Sequence, residues 1–331
     1  MKTILAKIEA TLQKYKMLAP GERILMACSG GADSVALFYL LKEGIPHYKI
    51  RLHLIHFDHA LRQDSVKDFQ FVRELARRHQ IPFDGERRKR AFSKLGKNLS
   101  PEEAARKMRY LFFKRVTQKT GIRKIALAHH QDDQAETVLM RLLQGTGLRG
   151  LQGIRPVMKL EGVTLIRPLM EVSRDEILKF LREHRIPYRE DATNQSQQFL
   201  RNRIRRRLLP LLEKEFNPKV RQSLCRLAEN AAVESVGLDE WVRTRWKTYL
   251  RSRRNGSLRI ERDIFLALPS ALQFRLLDEM LHTLDPRSGL NFESWERIEK
   301  GLETGRVRIT LPRRLDFHLT SKSLTLKKPS L

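Results

Sequence analysis

Acidic side chains are scarce in this chain. Asp and Glu number 38 against 65 Lys and Arg over 331 residues, a formal charge of +27. An excess of that size is unusual for an enzyme of small metabolites and points to a polyanionic partner. Cysteine is nearly absent: Cys28 and Cys225 cannot build a disulfide scaffold or a four-thiolate zinc site, which predicts a cytosolic protein. No apolar run approaches the ~20 residues needed to cross a bilayer, so no membrane association is expected. The opening MKTILAKIEATLQKYK interleaves Lys and Gln with apolar positions. That reads as an amphipathic helix rather than a secretion signal. Also missing is G-x-x-x-x-G-K-[ST], which excludes the P-loop machinery for γ-phosphate transfer, and no G-x-G-x-x-G follows the first strand. Hydrophobic residues, at 41%, suffice for real cores and exclude intrinsic disorder. At roughly 150 residues per domain the length predicts about two domains.

The first half alternates short apolar runs with helical patterns, the mark of an α/β fold with a parallel sheet. Strands are expected at 23–28, 50–57, 124–128 and 163–166, with a weaker candidate opening at Pro82-Phe83. Helices are expected after the first strand and at 68–79, 100–119, 131–143 and 173–183. Ser100, Pro101 and Glu103 form a capping pattern, and SRDE at 173–176 forms another. From about Pro210 the pattern shifts to long helices rich in Arg, Leu and Glu, such as 220–236. Short strands are expected at 306–310 and 323–326. The composition break near 213–218 divides the chain into residues 1–215 and a smaller, mainly helical 216–331.

The most informative stretch is Ser29-Gly30-Gly31-Ala32-Asp33-Ser34, between the first strand and its helix. Glycines there let backbone approach an anion, and the helix N-terminus offers unpaired N–H groups with a positive dipole end. The serines add hydroxyl donors, and Asp33 suits a cation or a reacting group. At the end of another strand stands HHQDDQAET, residues 129–137. Ligands of open parallel sheets bind beyond the carboxyl ends of the strands, so this cluster should face the same crevice. Asp133 and Glu136 are three apart, and Asp132 and Glu136 four apart, on one helical face. Such carboxylates hold Mg²⁺ or an ammonium group. Zinc is disfavoured, because adjacent histidines project differently and a spaced third ligand is lacking. His56-Phe57-Asp58-His59, with Arg62 beyond, leaves a strand toward the same crevice. Arg106 and Arg109 share one helix side, suited to phosphates or to Glu102 and Glu103. The glycine-rich GTGLRGLQGI at 145–154 suggests a backbone that approaches a ligand or moves. Asp191-Ala192-Thr193-Asn194 precedes the cationic RNRIRRR at 201–207, a cluster that can neutralise phosphates.

The string SGGADS after ILMAC resembles the pyrophosphate loop of the N-type ATP pyrophosphatases, which cleave ATP between its α and β phosphates. SGGADS, HFDHALR, HHQDDQAET, GTGLRGLQGI, IRPL and DATN followed by RNRIR together resemble, in order and spacing, the tRNA(Ile)-lysidine synthase family. The resemblance covers roughly residues 24–212. It implies a Rossmann-like sheet carrying the PP-loop, followed by a helical tRNA-binding domain, in a form shorter than members with two C-terminal domains. The implied reaction uses ATP to adenylate the C2 carbonyl of the wobble cytidine (position 34) in a tRNA(Ile) with a CAU anticodon. The ε-amino group of free L-lysine then displaces AMP to give lysidine. ATP and Mg²⁺ are the implied cofactors, and a homodimer would extend the basic surface.

On this reading Asp33, Asp133, Glu136 and Arg109 are the catalytic candidates. The ATP site comprises Ser29, Gly30, Gly31, Ala32, Asp33, Ser34, His56 and His129. Mg²⁺ falls to Asp33 and Asp133, and phosphates to Arg201, Arg203 and Arg205. Asp133 and Glu136 share the roles of holding lysine's ammonium and the metal, in an order the residues leave open. Two alternatives share the motifs: a PP-loop tRNA-thiolating enzyme and a non-catalytic RNA-binding protein. Thiolation needs a sulfur-carrying cysteine, whereas Cys28 lies in a buried strand and Cys225 in the distal helical region. Replacing both with alanine should therefore leave turnover largely intact. Loss of turnover in a folded double variant would revive a thiol mechanism.

Overall fold

The structure, a computed structural model, describes residues 2–60, 64–88, 101–189, 200–254, 256–286, 288–304 and 307–328. Arg62, the Ser100 cap and Asp191 to Asn194 lie outside the described residues. The chain divides into two compact units. The first comprises residues 1–145 and 152–228, and the second 146–151 and 229–331. The division at 228/229 falls inside a helix, where no composition break marks it, and not at 215/216.

In the first unit the order is α1 (Lys2–Lys14), β1 (Arg23–Ala27), α2 (Ala32–Tyr39), β2 (Arg51–Asp58), α3 (Ser65–Arg78), β3 (Phe83–Arg87) and α4 (Pro101–Thr120). Then come β4 (Lys124–Ala126) and α5 (Gln131–Leu143). The short α6 (Leu148–Leu151), on the excursion into the second unit, precedes β5 (Val157–Leu160), β6 (Val163–Ile166) and α7 (Arg174–Glu183). Next are α8 (Leu200–Arg203), a π-helical turn over 204–208, and α9 (Leu209–Glu215). The first turns of α10 (Val220–Tyr249) complete the unit.

Its sheet has the order β3-β2-β1-β4-β6-β5. All pairings are parallel except the β5–β6 hairpin at the edge. Successive β1 residues serve opposite cores. Ile24 and Met26 pack with α1, α2 and α7, while Leu25 packs with Phe112, Phe113 and Val116 of α4. A strand covered on both faces has no polar side, which is why β1 reads as a continuous apolar run. Strand order reverses at β1, with β2 on one side and β4 on the other. This opens a crevice beyond the carboxyl ends of β1 and β4. The loops carrying SGGADS and HHQDDQAET are therefore neighbours across the crevice, although about a hundred residues separate them in sequence.

The second unit holds the rest of α10, then β7 (Leu250–Arg254), β8 (Ser257–Glu261), α11 (Arg262–Leu266), α12 (Ser270–Leu284) and α13 (Phe292–Thr304). It ends with β9 (Val307–Leu311), β10 (Leu315–Leu319) and β11 (Ser323–Lys327). Its helices cover one face of an antiparallel sheet of order β7-β8-β11-β10-β9. Leu276, Leu277, Met280, Trp295 and Ile298 pack on Leu258, Ile260, Phe317 and Leu326. The glycine-rich segment 146–151 also belongs to this unit. There Arg149 is ion-paired with Asp239, at 2.7 Å, and with Asp278.

Candidate active site

The SGGADS loop is tied by its own serines. Ser34 Oγ accepts the Ser29 backbone N–H at 3.1 Å, donates to the Gly31 carbonyl at 3.0 Å, and lies 3.1 Å from Ser29 Oγ. The hydroxyls expected to meet an anion thus hold the loop's shape, and the first-turn N–H groups of α2 present the positive dipole end beside them. Gly30 has φ +88, and an added Cβ would lie 3.4 Å from Phe71 and 3.5 Å from Val72. A residue with a side chain would be strained there.

Beside the loop is a cavity of about 270 Å³, lined by residues from the ends of β1, β2 and β4 and by Arg109 and Phe113 of α4. Its histidines are held neutral. His56 donates from Nδ1 to the Cys28 carbonyl at 2.7 Å, and burial pushes its pKa down. Burial, reinforced by the Arg109 guanidinium, pushes His59 down to about 4. Burial pushes His129 down to about 3 against the pull of Asp133. Of the residues expected at the ATP site, Ser29, Ser34, His56 and His129 line this cavity with Asp33 and Arg109.

Asp33 also lines a second, larger cavity of about 790 Å³. Six carboxylates (Asp33, Asp132, Asp133, Glu136, Asp175, Glu213) and five Lys or Arg (Arg174, Lys219, Arg201, Arg205, Arg221) surround it, with His130. The basin is thus nearly balanced in charge, unlike the chain as a whole. Glu136 is fully buried and accepts from Arg201 Nε at 3.0 Å and from Arg205 Nε at 2.5 Å. Asp133 accepts from Arg201 at 2.8 Å and Arg205 at 3.3 Å. The acids are three apart on α5 and the arginines four apart on the α8 segment, so single helical turns face each other. The two arginines expected to meet phosphates therefore close on the two acids expected to meet lysine or metal. A buried carboxylate stays ionised only with such counter-charges. Arg203, between them in sequence, is exposed.

His130 sits among the remaining acids. Its Nε2 lies 3.4 Å from Asp133 and 3.7 Å from Asp33, and its Nδ1 3.5 Å from Asp132. Burial opposes its charge, but Asp132, Asp133 and Asp33 together outweigh burial and raise its pKa. Asp132 accepts the Arg174 backbone N–H and Arg221 Nη1, each at 2.8 Å. Burial works to raise its pKa, yet His130 and these donors bring it down to about 2. Asp33 is ion-paired with Arg174. No group of three or more His, Cys, Asp or Glu suited to a metal ion is present among the described residues. Asp33 and Asp133 approach the same imidazole nitrogen, and each is also ion-paired, Asp33 with Arg174 and Asp133 with Arg201 and Arg205. Arg174 and Arg221 escape sequence reasoning. Arg174 was visible only as part of a capping pattern, and Arg221 stands in an ordinary charged helix.

A phosphate-binding loop at the switch point of a parallel sheet, opening onto a basin of paired acids and arginines, defines a class, and residues 2–212 match the PP-loop domain family. Among solved structures, the U34-tRNA thiolase NcsA from Methanococcus maripaludis shares the fold. Its TM-score is 0.58 over 69% of this chain and 77% of that one, at 22% identity. The tRNA(Ile)-lysidine synthase of Thermosynechococcus vestitus is 34% identical over 91% of this chain and 84% of its own length. That of Dehalococcoides mccartyi is 36% identical over 95% and 68%, and that of Symbiobacterium thermophilum 39% identical over 72% and 50%. The chain belongs to the tRNA(Ile)-lysidine synthase family of PP-loop proteins. It spans half the length of the Symbiobacterium relative.

The raised pKa of His130 has a testable sign. Its charge contributes stability that is complete below the unfolded value of 6.5 and is lost as pH rises through the higher folded value. The stability deficit of His130→Gln in urea denaturation should therefore be larger at about pH 6 than at about pH 9. Equal deficits would contradict a charged His130.

Proposed function

We propose that this chain ligates L-lysine to C2 of the wobble cytidine of a tRNA(Ile) with a CAU anticodon, cleaving ATP to AMP and pyrophosphate. The observation that carries the reading is Asp33, which lines both the cavity beside the PP-loop and the acid–arginine basin. Two reactants held in adjoining cavities meet at that residue, which replaces an encounter in solution by a fixed approach. The names of the relatives support the reaction.

In the first step the C2 carbonyl oxygen of cytidine attacks the α-phosphorus of ATP, and pyrophosphate leaves. First-turn amides of the SGGADS loop face the charge that develops on the leaving group. Asp33 and Asp133 would hold Mg²⁺, which when bound neutralises phosphate charge. Arg109, lining the same cavity, reaches the nucleotide. In the second step the lysine ammonium passes a proton to solvent water, the resulting ε-amine attacks C2, and AMP departs with the former carbonyl oxygen. Asp133 and Glu136 hold the incoming ammonium in exchange for part of their arginine contacts. Arg201 and Arg205 so released meet phosphate, and exposed Arg203 serves tRNA backbone with its cationic neighbours. An anticodon loop is single-stranded, so its base enters the crevice without melting a duplex.

The thiols do not suit sulfur transfer. Burial raises the Cys28 thiol and pushes Cys225 up to about 12, whereas sulfur chemistry uses thiolates. On this proposal the first unit, residues 1–145 and 152–228, is the catalytic part and the second unit docks tRNA, in the cytoplasm. The test is incubation with ATP, Mg²⁺ and labelled lysine, using tRNA(Ile) and tRNA(Met) that share the CAU anticodon. Label should enter tRNA(Ile) and not tRNA(Met). No incorporation, or equal incorporation into both, would overturn the proposal.

A further inference from the structure

The segment IRPL has no role in the chemistry above, yet its arginine occupies an unusual position. Arg167 follows β6 directly and is only 3% exposed. An arginine so deeply buried is ordinarily paired with a carboxylate. The side-chain hydrogen bonds of Arg167 among the described residues run instead to two neutral acceptors. Nη1 donates to the Arg155 carbonyl at 2.5 Å, and Nε donates to His129 Nδ1 at 3.2 Å.

The second bond fixes a proton elsewhere. Arginine Nε always carries hydrogen and has no lone pair to offer. His129 Nδ1 must therefore accept, which leaves the imidazole neutral with its hydrogen on Nε2. The ring lines the cavity beside the PP-loop, and Nε2 has no hydrogen-bond partner among the described residues. We propose that Arg167 is a positioning residue that locks His129 in the Nε2–H tautomer, giving the nucleotide cavity a fixed neutral donor for a lone-pair acceptor of the bound nucleotide.

His56 shows the opposite arrangement in the same cavity. Its Nδ1 carries the hydrogen, because the Cys28 carbonyl can only accept. The two imidazoles are thus set by different partners, one by a backbone carbonyl and one by a buried cation. Burial and the nearby Arg167 charge both disfavour a second proton on His129. A neutral donor orients an acceptor without transferring a full charge to it, and the hydrogen bond made by one ring nitrogen sets the state of the other.

The assignment of a nucleotide acceptor rests on the proposed function, but the tautomer does not. Nitrogen-15 NMR of the histidine-labelled parent chain reads it directly, with the His129 signal assigned through its loss in His129→Gln. Nδ1 should be unprotonated and Nε2 protonated in the parent chain, and this pattern should be lost in Arg167→Met. ATP affinity measured by calorimetry should fall about tenfold in Arg167→Met and in His129→Gln, as for one lost hydrogen bond. The double variant should be no weaker than either single one, because Arg167 acts through His129. A protonated Nδ1 in the parent chain, unchanged affinity, or losses that multiply in the double variant would overturn the proposal. Absence of ATP binding with the tautomer intact would overturn the nucleotide reading instead, while leaving the hold of Arg167 on His129 in place.

Discussion

Glu136 has no exposed surface, and a carboxylate in that position must either take up a proton or find positive charge at hydrogen-bonding distance. It finds Arg201 and Arg205, and both also reach Asp133 one helical turn away. The desolvation of these groups is large, and only the mutual attraction of several opposite charges offsets it. The clasp therefore fixes more than a pair of side chains. It joins α5 to a segment more than sixty residues later and closes one wall of the basin. Ala135, Val138, Ile204 and Leu209 pack beside it and hold the two helices together.

The clasp also divides the positive charge of the chain into two kinds. Inside the basin every arginine is ion-paired with one or two acids. Arg174 meets Asp33, and Arg221 bridges Asp132 and Glu213. The excess that makes up +27 lies elsewhere, where exposed cations give long-range attraction to a polyanion and steep salt dependence. In the cavity beside the PP-loop burial disfavours charge on the histidines, and His56 and His129 each have one ring nitrogen held by a hydrogen bond.

Much of the first unit is legible in the sequence because its strands are buried on both faces and its helices carry end signals. The apolar run at β1, the Ser173 capping box and the turn after β4 each state a local rule that the fold obeys. The β5–β6 hairpin is only half legible, because β5 carries partly exposed residues that resemble a loop. In the second unit the sequence pattern marks only β9 and β11. Strands such as β8, with buried Leu258 and Ile260 alternating with exposed Arg259 and Glu261, are too short to separate from amphipathic helix by periodicity. The site divides similarly. That Asp33, Asp133 and His129 face one crevice follows from strand order and the rule for parallel sheets. That Arg201 and Arg205 turn toward acids, and that Arg167 reaches His129, depends on packing between distant segments, which no local pattern encodes.

The charged clasp around Glu136 holds the basin together, and a double-mutant cycle on Glu136→Gln and Arg205→Met tests it most directly. Urea denaturation of the parent chain, both single variants and the double variant gives the coupling free energy. Each single change should cost at least about 2 kcal/mol, because Arg205→Met takes one of two counter-charges from the buried Glu136 and Glu136→Gln takes the shared buried acid from both arginines. The double variant should be more stable than the sum of the two losses predicts, by more than about 1 kcal/mol. Losses that add to within about 0.5 kcal/mol would show that the two side chains do not depend on each other, and would contradict the account.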